Sequence, residues 1–386
     1  MTAASLPFHG PIGRREDIAT RLTFFVVGLI PGAWAALIPF ARLRLGVDDS
    51  QLGLLLLCLG LGSMIAMPVT GALTSRFGCR SAIVPAGLLF ILTLPALATL
   101  GTWTGMAIAL ALFGATIGTV DVAMNLQAVI VERAARRPIM SGFHALFSFG
   151  GIVGAAGASG MLALGIDSPV VIALVIGAIA LVCLVAAIPG LLTYGDTAAE
   201  HHPLFVMPRG IVLVTGALAF LTFLAEGAIL DWSALFLRTA RGADVSLAGL
   251  GYAVFAVTMT IGRFAGDRIR TALGDVWVMI GGGLLSAVGF LLVTLVPSIT
   301  AALVGFLLVG AGASNIVPVL FSATGRTRSM PSGLAVASMT TLGYLGVLAG
   351  PAIIGFVAQA TSLQAAFGFL VVAMLVVCAS YRVAET

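Results

Sequence analysis

Three ionisable side chains lie deep inside long apolar runs of this sequence, namely Asp121, His144 and Glu226. An ionised group in an apolar span costs about 3 kcal/mol or more unless it is paired or hydrated, so each of them calls for a reason. Carboxyl and imidazole groups both load and release protons, and buried ones are frequent at functional sites. The three residues are therefore candidates for proton-binding sites.

Asp121 is the strongest of these candidates. It lies about ten residues from the inner end of its predicted span, which is roughly 15 Å at 1.5 Å per residue and close to the middle of a bilayer. Asn125 follows one turn later on the same helix face. The alternative is that Asp121 belongs to a structural hydrogen-bond network between helices.

Glu226 and His144 each leave more than one interpretation open. Glu226 lies about 16 residues into its span, roughly 24 Å from its start. It is a second proton site, a hydrogen-bond acceptor for a bound molecule, or a structural clamp between spans seven and one. His144 lies in the inner third of span five, where it either passes protons to Asp121 or donates one structural hydrogen bond.

Charged residues near the predicted helix ends indicate gates. Arg263 and Asp267 are four residues apart and meet on one helix face. With Arg268 they resemble an inner gating loop of membrane carriers, and this resemblance implies a latch that closes the cytoplasmic side. The alternative is a positively charged anchor with a surface ion pair that contributes little stability. Asp231, near the outer interface, is either an outer gate or an interfacial anchor beside Trp232.

Six polar and aromatic residues within the spans are candidates for lining a central cavity. Buried hydroxyl and amide groups need hydrogen-bond partners at such depth, whereas an aromatic ring inside a helix more often packs against its neighbours. The six residues are Trp34, Asn125, Phe147, Tyr252, Asn315 and Tyr344.

The composition requires a lipid environment. Of the 386 residues, 60% are hydrophobic and 9% are charged, whereas soluble domains carry about 25% charged residues. All 19 basic residues are arginine, which excludes Schiff-base and P-loop lysine chemistry. The arginines are scattered over short loops, so we expect no nucleic-acid partner.

Chemistry of other kinds is not indicated. The four cysteines form no paired motif, so neither a disulfide framework nor a zinc site is expected. His201 and His202, with Asp196 and Glu200 nearby, match no standard metal-site spacing. Hydrolase, metalloprotease and nucleotide-binding motifs do not occur in the sequence. We therefore expect a protein that is not an enzyme and that holds neither a cofactor nor a metal.

The apolar runs predict twelve transmembrane helices, since a span needs about 20 mainly apolar residues. Charges, prolines and glycines divide them approximately at 19–41, 50–73, 82–100, 104–131, 139–165, 169–193, 210–237, 246–266, 276–296, 299–323, 332–358 and 363–381.

An even number of spans places both termini on one side of the membrane. If that side is the cytoplasm, 15 arginines lie inside or at inner helix ends and four lie outside, in agreement with the positive-inside rule. The expected organisation is a cytoplasmic tail (1–18), a six-helix bundle (19–193), a cytoplasmic linker (194–209), a second six-helix bundle (210–381) and a C-terminal tail (382–386).

The two predicted halves contain similar sequence elements. Ser75-Arg76 follows the second span and Asp267-Arg268 follows the eighth, so the two pairs are interpreted as counterparts and Arg76 is grouped with the gating residues. Gly114 in span four has a counterpart in span ten. Two related six-helix halves are typical of transporters built from internal repeats.

Seven stretches carry a family pattern over nearly the whole chain, at 34–39, 45–53, 121–125, 142–146, 226–234, 262–268 and 343–351. In this order they resemble the major facilitator superfamily and, within it, the bacterial branch of YbjJ-type and fucose-permease-like proteins. Two positions depart from the pattern: Ser75 replaces a common Asp, and Leu37 replaces a frequent Arg. Both departures indicate that coupling differs from that of the relatives.

The resemblance implies an all-α membrane fold of two six-helix bundles that work by alternating access. It implies a monomeric secondary transporter of the inner membrane whose partners are a small molecule, protons and the lipid bilayer. Intramembrane acids outnumber bases, which favours neutral or cationic substrates. YbjJ-type likeness favours efflux by antiport, and fucose-permease likeness favours sugar or metabolite uptake by symport. A transporter-like sensor that moves no solute is the further alternative.

Overall fold

The computed structural model describes residues 13–47, 49–193, 207–243, 247, 249–327 and 330–385. Residues 1–12 of the predicted tail and 194–206 of the predicted linker, with His201 and His202, lie outside the described residues. The described chain is almost entirely helical, with α1 (Arg14–Leu45), α2 (Asp49–Phe77), α3 (Cys79–Thr99), α4 (Trp103–Ala135), α5 (Met140–Ala163), α6 (Pro169–Ala187), α7 (Ile211–Arg241), α8 (Leu250–Leu273), α9 (Asp275–Leu295), α10 (Ile299–Ala313), α11 (Ile316–Arg326), α12 (Ser332–Ala360) and α13 (Leu363–Ala379).

These helices confirm the prediction of twelve spans. Within the described ranges, eleven helical stretches are long and apolar enough to cross a membrane, and one of them joins α10 and α11 into the tenth span. The eighth span, α8, does not meet that composition limit. The reason is that Arg263, Asp267, Arg268 and Arg270 occupy its C-terminal half and lower its hydropathy.

The helix ends are set by local cap residues that recur at a fixed separation in the sequence. Thr102 and Ser298 each accept a backbone N–H at the start of α4 and of α10. Gly46 and Gly242 follow the ends of α1 and α7 with φ of 62° and 68°, and they are separated by the same length of chain as Thr102 and Ser298. Hydroxyl N-caps and left-handed glycine C-caps are the usual means of satisfying helix ends. We call this common separation the repeat interval.

The tenth span differs from the single helix that the sequence predicts over 299–323. It is interrupted at Ser314 and Asn315, between α10 and α11. The Asn315 side-chain amide donates to the Gly262 carbonyl at 2.9 Å and to the Ser314 hydroxyl at 2.9 Å. Irregular backbone at membrane depth requires such partners, because lipid offers none.

The chain divides into two compact units. The first comprises Met1–Arg137, Leu146–Met207 and Met330–Ala337; the second comprises Pro138–Ala145, Pro208–Ser329 and Ser338–Thr386. Each half of the chain therefore contributes a short segment to the other unit. These two segments are the beginning of α5 and the beginning of α12.

Close helix crossings inside each unit follow the same repeat interval. A Cβ at Gly114 of α4 would overlap the Leu59 carbonyl oxygen of α2, and a Cβ at Gly310 of α10 would overlap the Phe255 carbonyl oxygen of α8. A second crossing of this kind joins α1 to α5 and α7 to α12, at Gly150 against Phe25 and Gly346 against Phe220, and its two glycines are one repeat interval apart. Small residues allow this backbone approach, as is common between membrane helices.

Two arginines cap carbonyl groups at the C-terminal ends of neighbouring helices. Arg44 donates to the carbonyls of Leu97, Ala98 and Leu100 at the end of α3. Arg241, near the equivalent position of the second half, donates to the carbonyls of Val293 and Thr294 at the end of α9. Both belong to the four arginines that the sequence places outside, and satisfying helix ends gives them a structural reason to be there.

The repeat interval corrects the pairing of Ser75 with Asp267. Gly78 and Gly274, with φ of 79° and 83°, separate α2 from α3 and α8 from α9. These two glycines are also one repeat interval apart, so Asp267 corresponds to Gly71, and Ser75 corresponds to Thr271. The predicted pairing of Ser75 with Asp267 is therefore wrong. It matched the residues that precede Arg76 and Arg268 and did not take the helix boundaries into account.

Gln127 forms a buried hydrogen-bond network that the sequence did not indicate. Its side-chain nitrogen donates to the Thr20 hydroxyl at 3.1 Å and to the Gly190 carbonyl at 3.4 Å, and its oxygen accepts from the Leu192 backbone at 3.1 Å. Gln127 is fully buried. The amide thereby fastens the segment after α6 to α1 and α4.

Replacing Gln127 with alanine is expected to destabilise the protein by about 2 kcal/mol, because the Leu192 N–H would lose its acceptor in a buried setting. Thermal unfolding in one detergent measures the effect. Gln364→Ala, at the first turn of α13, is the matched control and should change the melting temperature little. Equal melting temperatures for the two variants would contradict the structural role of Gln127.

Candidate functional site

Asp121 is a buried carboxyl group in the middle of α4. It is 8% exposed, and the Asn125 amide donates to its carboxylate at 3.3 Å and to its backbone carbonyl at 2.9 Å. Among the described residues no cation forms an ion pair with it. The predicted neighbourhood of Asp121 and Asn125 is thus present, and the carboxyl lacks a countercharge.

Two of the aromatic residues predicted to line a cavity, Trp34 and Phe147, lie on helices of the first unit other than α4. Trp34 on α1 is 4% exposed, and its indole N–H has no hydrogen-bond partner among the described residues. Phe147 on α5 is half-buried, and its backbone carbonyl contacts Gly28 of α1. A buried indole N–H usually has a hydrogen-bond partner, so the Trp34 N–H is unusual in having none among the described residues.

The second unit contains a buried ion pair. The Glu226 carboxylate of α7 and the Arg263 guanidinium of α8 are 3.8 Å apart, with side chains 18% and 7% exposed. Tyr252, also on α8, lies close enough to interact electrostatically with both. Glu226 is therefore balanced by a base on α8, and its other carboxylate oxygen, Oε1, is buried without a described hydrogen bond.

Arg263 also contacts the break in the tenth span. Its Nε donates to the Ser314 carbonyl at 3.4 Å. Asn315, at the same break, is 5% exposed, and its side-chain oxygen has no described hydrogen-bond donor. The interrupted span therefore places a backbone carbonyl, an amide oxygen and a guanidinium group near one another inside the second unit.

The first turn of α5 is attached to α8 by polar contacts within the second unit. The Gly142 backbone N–H donates to the Asp267 carboxylate at 3.0 Å. Gly266 packs directly against Ser141, and a Cβ there would overlap the Asn315 side-chain oxygen. A carboxylate at a helix N-terminus is stabilised by the unpaired N–H groups and by the helix dipole.

His144 belongs to this same turn of α5. Its ring stacks on Phe321 of α11, with ring centroids 5.5 Å apart and planes inclined by 30°. It is 8% exposed and lies within electrostatic range of Arg263 and Arg270. His144 thus belongs to the second unit with Arg263, while Asp121 belongs to the first.

The first turn of α12 makes a different kind of contact inside the first unit. A Cβ at Gly71 of α2 would contact Ala337 at 2.5 Å, and a Cβ at Gly333 would overlap the Ser75 hydroxyl. That hydroxyl donates to the Gly71 carbonyl at 2.8 Å. The first turn of α12 thus packs closely against the C-terminal half of α2.

The remaining predicted gating residues lie apart from these clusters. Asp231 is exposed on α7, and Trp232 packs against Gly355 of α12. Arg268 and Arg76 are exposed, Arg76 lying 5.2 Å from the Phe77 ring.

Tyr344, on α12, is half-buried with its ring edge towards Phe223, at a centroid distance of 6.3 Å.

The sequence reasoning missed a charged cluster at the junction of α8 and α9. Arg270 donates to the Asp275 carboxylate at 2.7 Å and to the Ser322 hydroxyl at 2.9 Å, and Arg326 approaches Asp275 at 3.5 Å. The signal available was the positions of Arg270 and Asp275 on either side of Gly274. The cluster ties α8, α9 and α11 together.

Buried charges inside a repeated twelve-helix membrane fold are typical of polytopic membrane transporters. The family model of the Major Facilitator Superfamily matches residues 20–269 and 215–385, and the chain belongs to that family. It is therefore a multi-pass membrane protein and a transporter of a small molecule in contact with lipid, and it is not an enzyme.

Known relatives agree with this assignment. An MFS-type transporter of Yersinia pestis is 53% identical over 370 residues, covering 96% of both chains. The membrane protein MosC of Rhizobium meliloti is 32% identical over 378 residues, covering 96% of this chain and 91% of the relative. The outward conformation of the fucose transporter FucP matches the fold with a TM-score of 0.84 at 16% identity, covering 98% of this chain and 100% of FucP. The expected likeness to fucose-permease-like proteins is therefore present at the level of the fold.

Proposed function

We propose that the protein is a proton-coupled secondary transporter of the inner membrane that exports a small neutral or cationic organic molecule by antiport. The observation that carries this proposal is Asp121, a buried carboxyl without a countercharge in the middle of a spanning helix. A carboxyl in that setting gains most from exchanging its charge for a proton or for a bound cation.

The charge balance of the two units supports the substrate class. Arg263 offsets Glu226 in the second unit, whereas Asp121 in the first unit has no ion-pair partner among the residues that the structure describes. An anionic substrate would be repelled by this arrangement, whereas a neutral or cationic one would not. Trp34, Asn125, Phe147, Tyr252, Asn315 and Tyr344 are proposed to contact the substrate.

Coupling requires that the proton bind two conformations with different affinity. Asp121 is the proposed primary proton site, Glu226 the second, and His144 a further site at the start of α5. Asp267, with Arg263 and Arg268, is the proposed inner latch, because its carboxylate holds the first turn of α5. Asp231 and Arg76 are proposed to act in gating near the outer and inner helix ends.

The proposed topology places both termini and the 194–209 linker in the cytoplasm. It rests on the distribution of 15 inner and four outer arginines. We propose a monomer that needs no cofactor. The organisation into a tail, two six-helix bundles and a linker follows from this topology.

Uptake by symport is the second candidate function. The fold likeness to FucP, a fucose:proton symporter by its title, favours it. The same buried carboxyl is compatible with symport and with antiport. In symport the proton and the substrate cross the membrane in the same conformational change, and in antiport they cross in opposite ones. A sensor that binds a ligand without moving it is the third candidate.

The test proceeds from binding to flux. A library of metabolites, sugars and lipophilic cations is first screened by thermal unfolding, since a ligand at a hundred times its Kd stabilises the fold by about 2.7 kcal/mol. Each hit is then added outside proteoliposomes of known orientation that contain a pH indicator. Antiport raises the internal pH, and symport lowers it. A ligand that binds without any flux would favour the sensor and overturn the proposal.

A further inference from the structure

Arg263 of α8 binds a backbone carbonyl that an unbroken helix would not offer. Its Nε donates to the Ser314 carbonyl at 3.4 Å, and its guanidinium lies 3.8 Å from the Glu226 carboxylate of α7. In a continuous α-helix the Ser314 carbonyl would accept the backbone N–H of residue 318. That residue is Pro318, which has no N–H and therefore leaves the carbonyl without this partner.

The break in the tenth span packs directly against α8. A Cβ at Gly262 would overlap the Ser314 hydroxyl, and the Asn315 amide donates to the Gly262 carbonyl at 2.9 Å. Pro318 is buried in the first turn of α11, where a proline is tolerated because the first N–H groups of a helix have no intrahelical acceptor. These contacts hold the Ser314 carbonyl beside Arg263.

The two acceptors of the guanidinium differ in charge. Glu226 is charged only while it has no proton, whereas the Ser314 carbonyl accepts a hydrogen bond in either case. Arg263 is 6% exposed, and a buried cation that loses its partner is strongly destabilising. A backbone carbonyl that does not titrate is therefore a constant partner for this cation.

The first half of the chain lacks the whole arrangement. One repeat interval before the carboxylate, the guanidinium and the proline stand three fully buried apolar residues, namely Ile30, Met67 and Val122. α4 continues unbroken through Val122. The three groups thus occur together in one half and are replaced together by apolar side chains in the other, which indicates that they act as one unit.

We propose that Pro318 is a positioning residue, which releases the Ser314 carbonyl as an acceptor and so keeps Arg263 in place when Glu226 loses its charge. A guanidinium held in this way remains next to the carboxyl group and pairs with it again once the proton has left. The inference rests on the proposed function only in taking Glu226 as the second proton site.

Thermal unfolding in one detergent tests the inference without substrate or flux, on the parent, Glu226→Gln, Pro318→Ala and their double variant. Alanine at position 318 supplies an N–H that the Ser314 carbonyl accepts within the helix. The melting temperature of the double variant should fall by about 3 °C more than the sum of the two single losses, because the buried cation then lacks both acceptors. Additive losses would mean that Pro318 only shapes the helix, and they would overturn the proposal.

A direct readout is the Nε–H signal of Arg263 in the NMR spectrum of protein whose arginines carry a nitrogen isotope label. Arg263→Met assigns the signal by its disappearance. In Pro318→Ala the Nε–H should exchange with water about tenfold faster or more, because its acceptor is lost. Pro351→Ala, the same change inside α12, is the matched control and should leave the exchange rate as it is. An unchanged rate in Pro318→Ala would contradict the proposal.

Misfolding is separated from the proposed effect by removing the cation. If the double variant does not fold, adding Arg263→Met must restore a folded protein, because no buried guanidinium then needs an acceptor. A triple variant that still does not fold would contradict the proposal. The flux assays decide the proposed function independently. A loss beyond additivity in a protein without any flux would support the role of Pro318 and reject the transporter proposal.

Discussion

Asp121→Asn is expected to reduce proton-driven transport to the level of empty vesicles while ligand binding persists. Asparagine keeps the volume and hydrogen-bonding capacity of the side chain, including the contact to Asn125, but it cannot release a proton. Counterflow of labelled for unlabelled ligand, which needs no net proton movement, should continue. Proteoliposome flux with and without a pH gradient measures both quantities.

The matched control is Asp167→Asn, the same change at an exposed position between α5 and α6. It should leave flux and binding unchanged. Gradient-driven transport at the parental rate in Asp121→Asn would show that Asp121 is a structural residue. Loss of binding together with flux would instead place the carboxyl in direct contact with a cationic ligand and remove the case for a separate proton site.

Gly114→Ala and Gly310→Ala are expected to give the largest structural effect, about 3 kcal/mol each. An added Cβ would overlap a backbone carbonyl of the facing helix, at Leu59 for the first and at Phe255 for the second. A backbone atom cannot move aside like a flexible side chain, so α2 and α4, or α8 and α10, must separate. Thermal unfolding in one detergent measures the loss.

Gly157→Ala on α5 is the control, because nothing lies within 4 Å of the added Cβ. It should change stability by no more than about 1 kcal/mol, and in the stabilising direction if helix propensity dominates. The repeated architecture also predicts that Gly114→Ala and Gly310→Ala have similar effects. A tolerated substitution at either position would mean that these crossings are looser than the structure shows.

Local sequence signals determined much of the fold. Apolar run length fixed the number of spans, whereas caps such as Thr102 and Gly46, although they act within a few residues, were recognised only in the structure. The proximity of Asp121 and Asn125 followed from the same cause, since residues four apart on a helix share a face. These features depend on chain neighbours alone, so one sequence is enough to predict them.

The tertiary structure decided which charges meet. Glu226 and Arg263 lie on different helices, and Asp267 binds the backbone N–H of Gly142, far away in the sequence. Helical periodicity says nothing about which helix a given face contacts. The break at Ser314 and Asn315 was likewise not predictable, because partners on neighbouring helices stabilise it. The sequence offered two different repeat separations, one from Gly114 and Gly310 and one from Ser75 and Asp267, and only the helix boundaries decided between them. The sequence by itself therefore determined a twelve-helix carrier with a carboxyl in its middle. Only the packing of the helices decided that, among the described residues, Glu226 has an ion-pair partner and Asp121 has none.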